Sequence, residues 1–148
     1  MRLVGWIGLG WHFPEPRQVL STAPVRERTP SGSPEPLEVL YARELVAKKT
    51  PDVLLIQAVA DGSHTKAALI TADKSMRTRQ HERAAFTATG CIGIILLGGW
   101  NHATMWDRAR MTLRWWRTWV EQISEAEPGS LWECPWQERP KRLRQWRY

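Results

Sequence analysis

The sequence predicts an α/β fold in which a parallel sheet carries helices on both faces. Two observations lead there. Short apolar segments alternate with helical ones from residue 37 onward, and alternation of this kind favours parallel strands joined by helical crossovers. The two clearest apolar segments, Ala67-Ala68-Leu69-Ile70-Thr71 and Cys91-Ile92-Gly93-Ile94-Ile95-Leu96-Leu97, are too short for helices of their own and read as buried strands.

The elements follow in order. Leu37 to Ala42 is either a short strand or a helix start, because periodicity does not decide at that length. Thr50-Pro51-Asp52 opens a helix: threonine can cap, proline suits the first helical position, and the aspartate complements the positive end of the helix dipole. It runs to about Ala60 and stops at Asp61-Gly62. The strand 67–71 follows, then a basic stretch, then a helix from about Gln80 to Thr89 closed by Gly90. After the strand 91–97, Gly98-Gly99 breaks the chain, and Asn101 or Thr104 caps the last helix. Trp106, Ala109, Leu113, Trp116, Val120 and Ile123 fall on one side of it and are its expected core face. Trp115 and Trp119 lie to one side, available for a partner. Pro128-Gly129 ends the helix.

The 148 residues suit one domain. Residues 1–36 read as a separate irregular segment. Pro14, Pro16, Pro24, Pro30, Pro34 and Pro36 block regular structure there. The domain proper is expected over 37–127, with a basic, Trp-rich tail over 128–148. The start, Met1 to Trp11, is apolar but has only Arg2 as a basic flank and soon meets prolines, a poor signal peptide. No apolar run reaches the ~18 residues that cross a bilayer, so a cytoplasmic protein without membrane association is expected. Cys91 and Cys134 have neither a disulfide framework nor zinc spacing and are expected as reduced thiols.

The net charge is +6, from 21 Lys plus Arg against 15 Asp plus Glu. Five bases lie in residues 139–148, so the rest of the chain holds 16 bases and 15 acids, or +1. Overall charge is therefore no guide to a nucleic-acid partner; local placement is. In open α/β sheets ligands gather beyond the carboxyl ends of the strands. Asp73 follows the strand 67–71, and Asp52 lies in the first turn of the preceding helix, so both can face that edge. Two carboxylates there suit Mg²⁺ or Mn²⁺, which prefer oxygen ligands. Lys74, Arg77, Arg79 and Arg83 follow Asp73 closely and are candidate contacts to RNA phosphates. Each has a plainer reading: Asp52 as a helix-dipole partner, Asp73 as a turn residue, the bases as a solvated helix face.

The segment Thr71-Ala72-Asp73-Lys74-Ser75-Met76-Arg77-Thr78-Arg79, then His81-Glu82-Arg83-Ala84-Ala85 and Gly90 before an apolar strand, resembles the PIN-like domain of the VapC-type toxins. Thr50-Pro51-Asp52 resembles the helix start of that group, and the resemblance covers roughly residues 37–101. It implies a PIN-like α/β fold and a ribonuclease dependent on Mg²⁺ or Mn²⁺, the toxin of a pair with a cognate antitoxin protein. By position it implies Asp52 and Asp73 as catalytic metal ligands. Asn101 is a third candidate ligand, whose plainer reading is a helix cap. A homodimer is a further expectation.

One departure is plain. Such domains begin with a strand ending in an aspartate ligand, and no Asp precedes Asp52 here. Three explanations stand: an incomplete and inactive site; a substitute acid, Glu38 or Glu44, with Glu15 a weaker one; or a displaced coding start. An incomplete site leaves the alternative of a non-catalytic RNA- or protein-binding module on the same fold.

Overall fold

The computed structural model describes residues 1–6, 38–61, 66–137 and 142–147. Its elements are β1 (Arg2–Trp6), β2 (Glu38–Tyr41), α1 (Ala42–Leu45), α2 (Asp52–Ala60), β3 (Ala67–Thr71), α3 (Gln80–Thr89), β4 (Ile92–Leu96), α4 (Met105–Glu125), β5 (Leu131–Cys134) and β6 (Arg144–Trp146). Short 3₁₀ turns at Lys74–Arg77 and Gly98–Asn101 follow β3 and β4. The six strands form one sheet in the order β2-β1-β3-β4-β5-β6. All neighbours are parallel except β5 and β6. This is the α/β fold expected, with a mostly parallel sheet and helices, consistent with a PIN-like fold.

The first correction concerns the N-terminus. Residues 2–6, expected as part of an irregular segment, form a strand in the interior of the sheet. Arg2–Gly5 pair with Glu38–Tyr41 on one side, and Arg2–Trp6 with Ala67–Thr71 on the other. Leu3 and Val4 are both buried, one in each of two hydrophobic cores. A strand buried on both faces needs apolar residues rather than alternation, and that is what an apolar start supplies. The irregular reading of 12–36 falls outside the described residues. Segment 37–42 is both of its alternatives in turn: β2, then α1.

The second correction concerns the C-terminal end. Residues 128–148 are not simply a tail, because β5 and β6 extend the sheet beyond β4. The third concerns Thr50. Pro51 occupies the cap position of α2, and the Thr50 hydroxyl donates instead to the Ala47 carbonyl at 2.8 Å. Elsewhere the local signals hold. Gly90 closes α3 with φ 72°, where a side chain would be strained. Thr104, not Asn101, caps α4: its hydroxyl oxygen accepts from the Asp107 N–H at 3.2 Å and donates to Asp107 Oδ2 at 2.7 Å. At the other end of α4, the Lys66 ammonium donates to the Ser124 and Ala126 carbonyls at 2.5 and 2.8 Å. A cation belongs at that negative end of the helix dipole.

The core lies in two layers. α2 and α3 cover one face, where Leu55, Ile56, Val59 and Phe86 pack on Val4, Leu69 and Ile95. α4 covers the other, where Met111, Trp115, Trp119 and Ile123 pack on Leu3, Ile70, Ile92 and Ile94. The buried face of α4 therefore differs from the one expected. Of the predicted stripe only Ile123 is buried; Trp106 is 77% exposed and Leu113 52%. Trp115 and Trp119 are core residues with satisfied indoles. Trp115 Nε1 donates to the Gln137 carbonyl at 3.2 Å, and Trp119 Nε1 to Cys134 Sγ at 3.4 Å. Trp100 joins them, with ring centroids 5.7 Å from Trp119 and 5.0 Å from Trp136. Both cysteines are free and buried, and burial pushes each thiol up to about 12. They are inert packing residues. Among the described residues, no helix is long and apolar enough to cross a membrane.

Gly93 shows how closely α3 and β5 approach β4. A β-carbon there would collide with Leu131 Cδ2 and lie 3.1 Å from Phe86 Cε1. Gly93→Ala is expected to destabilise the fold by about 2 kcal/mol. Urea denaturation followed by circular dichroism measures it; an unchanged midpoint would mean that the two layers yield.

Candidate metal and nucleic-acid site

The strand order β2-β1-β3-β4-β5 places a reversal of chain direction across the sheet between β1 and β3. In such sheets the crevice outside the carboxyl ends at that point receives ligands. β3 delivers Asp73 there. The Asp73 N–H donates to Thr71 Oγ1 at 3.1 Å, and Asp73 Oδ1 accepts from the Ser75 N–H at 2.8 Å and from the Ser75 hydroxyl at 2.6 Å. These bonds make Asp73 the cap of the 3₁₀ turn 74–77 and fix its carboxylate at the strand end. The turn reading and the site reading of Asp73 are thus compatible.

α2 and α3 return antiparallel to the strands, so both helices begin at this same edge. Asp52 is in the first turn of α2 and Glu82 in the first turn of α3. Helix N-termini favour carboxylates. Glu82 is 1% exposed. Its Oε1 accepts from Arg79 Nη1 at 2.8 Å, and His81 Nε2 stands 3.6 Å away. Its Oε2 is buried with no protein donor. The Asp52 carboxyl lies near Glu82. Burial raises the Asp52 carboxyl above its ordinary range, the negative charges of Glu82 and Asp73 raise it further, and the Arg79 guanidinium opposes them. Asp52 thus feels both of the other carboxylates at this edge. Arg79 Nη1 also reaches Asp52 Oδ2 at 3.4 Å. Its bond to Glu82 raises the guanidinium above its usual value.

Asn101 ends the turn after β4 and comes beside the Asp73 segment, its Nδ2 3.5 Å from the Ala72 carbonyl. Its own carbonyl accepts from Nη2 of the buried Arg108 at 3.0 Å. Burial lowers the Arg108 guanidinium below its usual value.

The four bases divide. Lys74 is exposed and Arg83 half-buried. Arg79 is held by Asp52 and Glu82. Arg77 turns the other way: its Nη1 donates to Oε1 of Glu133 on β5. The substitute acids divide as well. Glu38 begins β2, at the opposite edge of the sheet, where it pairs with Arg2 at 2.7 Å. Glu44 is exposed on α1, and Glu15 lies outside the described residues.

Sequence reasoning missed Glu82 as a site residue, although it stands in the His81-Glu82-Arg83 segment. The available signal was an acid in the first turn of a helix opening at the Asp73 edge. The donors fit a hard divalent cation in kind: carboxylate oxygens, one of them buried and unsatisfied, in a cluster whose mutual repulsion a cation would relieve. Among the described residues, however, no group of three or more His, Cys, Asp or Glu side chains is arranged to hold a metal ion. The positive charge between Asp52 and Glu82 is that of Arg79.

Residues 28–98, just under half the chain, match the family model of a PIN like domain. That span contains Asp52, Asp73, Glu82 and the four bases, and ends before Asn101, α4, β5 and β6. No curated protein and no solved structure matches the chain.

Proposed function

We propose that this protein is a divalent-metal-dependent ribonuclease of PIN-like type, the toxin of a toxin–antitoxin pair acting in the cytoplasm. The observation that carries the reading is the convergence of Asp52, Asp73 and Glu82 at one sheet edge, beside Lys74, Arg79 and Arg83. All of them lie within the span that resembles a PIN-like domain. Asp52 and Asp73 would be the ligands to Mg²⁺ or Mn²⁺, with Glu82 beside them and Asn101 at the margin. A bound ion of this kind polarises a water and offsets charge on a phosphodiester. Asp73 presents a carboxylate whose direction is fixed by Ser75. Glu82 keeps its charge away from bulk water. Lys74 and Arg83 meet the RNA backbone, and Arg79 joins them once it leaves the carboxylates. Trp106 and Leu113 supply exposed apolar area for the antitoxin.

Incubating the protein with single-stranded RNA, with and without Mn²⁺, tests this. Cleavage should need the metal, and Asp73→Asn should lower it by about 100-fold or more. Equal cleavage by the variant would remove Asp73 from the site. Arg79 favours a second reading, a non-catalytic RNA-binding module, since its guanidinium already pairs with Asp52 and with Oε1 of Glu82. RNA retained equally with and without Mn²⁺, and never cut, would establish that alternative.

A further inference from the structure

We infer that the β5–β6 hairpin is a clamp on the Asp73 turn, and that Glu133, Arg77, Arg144 and Trp146 are positioning residues for the Asp73 carboxylate. As far as it concerns catalysis, the inference rests on the ribonuclease reading; as a statement about the turn it stands independently.

Glu133 is a charged residue in a place that does not need one. It lies on β5 between apolar neighbours and is 1% exposed. A carboxylate buried there requires compensation from both of its oxygens. It has that from two sides. Oε1 accepts from Arg77 Nη1, and Oε2 accepts from Arg144 Nε at 2.7 Å and from Arg144 Nη2. Arg144 is its direct partner across the β5–β6 ladder. Trp146, two residues on, faces the Arg77 guanidinium, with Arg77 Cζ 4.8 Å from the ring centroid. Arg77 is therefore held by a carboxylate and an aromatic ring that both belong to the hairpin.

The other end of this connection is the candidate site. Arg77 is the last residue of the 3₁₀ turn whose cap is Asp73. Four residues of 3₁₀ turn leave little slack. Fixing Arg77 fixes the turn, and with it the Ser75 N–H and hydroxyl that orient Asp73 Oδ1. Met76, between them, is fully buried and closes the turn onto the core. Arg77 thus acts as a tether, whereas exposed Lys74, in the same turn, is placed to meet a phosphate. Glu133, Arg144 and Trp146 all lie beyond the span that matches the PIN-like family model, and Arg77 lies within it.

The test uses the full chain with Arg144→Ala, whose side chain is 75% exposed, and Arg144→Lys, which keeps a cation beside Glu133; unchanged exchange of Ile94 establishes that each variant is folded. Amide hydrogen exchange read by NMR is the first measurement. Ser75 should exchange about tenfold faster in Arg144→Ala while Ile94 in the central strand is unchanged, and Arg144→Lys should restore part of the protection. Unchanged Ser75 exchange would overturn the clamp, whatever the activity. RNA cleavage with Mn²⁺ is the second measurement. Arg144→Ala should lower kcat about tenfold at constant KM, whereas Lys74→Ala should raise KM. A KM effect for Arg144→Ala would overturn positioning in favour of direct RNA contact. If the wild type cuts no RNA, the ribonuclease reading fails, and the exchange result still decides the clamp.

Discussion

Replacing Trp115 with alanine is expected to remove about 4 kcal/mol of stability, whereas Trp106→Ala should change it by no more than about 0.5 kcal/mol. The two residues lie on the same helix, and their surroundings set the difference. Trp115 is wholly buried between α4 and the sheet. Its removal leaves a void in the core between α4 and the sheet, and leaves the Gln137 carbonyl without its donor. Trp106 is mostly in water already. Chemical denaturation of both variants, with the slopes compared as well as the midpoints, checks this. Equal losses would mean that α4 turns a different face to the sheet.

Asp52→Asn should affect stability and activity in opposite directions. The folded protein buries Asp52 and holds it near Glu82 and Asp73, and burial first, then their negative charges, raise its carboxyl above the unfolded value. Below the unfolded value the group is neutral in both states and the repulsion costs nothing. As pH rises through the raised folded value, the group must ionise against its neighbours and stability is lost. The variant escapes that loss. Its advantage over the wild type should be absent near pH 3 and reach about 1 kcal/mol at pH 7, while RNA cleavage falls on the order of 100-fold. Denaturation midpoints at the two pH values, beside the cleavage assay, measure both effects. A variant less stable than the wild type at pH 7 would show that Arg79 outweighs the acid–acid repulsion.

Local signals carried the fold where they were unambiguous. The apolar runs of β3 and β4, the glycine after α3 and the helix start near Asp52 were legible because each depends on neighbouring residues alone. The phase of α4 was not. Trp-rich stripes run along two adjacent sides of that helix, and Arg108 on the truly buried side makes that side look polar. Only the sheet beneath decides between them. β1 is masked by the prolines that follow it and by the aspartate it lacks, although Leu3 and Val4 are what an interior strand needs. β5 and β6 are too short, and too rich in Glu, Arg and Gln, to announce themselves. The placement of Asp52 and Asp73 at the carboxyl edge was legible from position relative to predicted strands and helices. Glu82 was hidden by its basic neighbours, and the commitment of Arg77 to Glu133 spans 56 residues, beyond the reach of any local pattern.

The interior position of β1 bears on how this chain can be made and handled. Strands β2 and β3 never touch within the sheet; the first six residues are the seam between them. That seam leaves the ribosome ahead of its two partners, which are encoded more than thirty and more than sixty residues later. Until they arrive it is an unpaired apolar segment. Trimming the apparently dispensable N-terminus would open two raw edges in the middle of the sheet. Such edges pair readily with other chains, so the product would be an aggregate rather than a smaller domain.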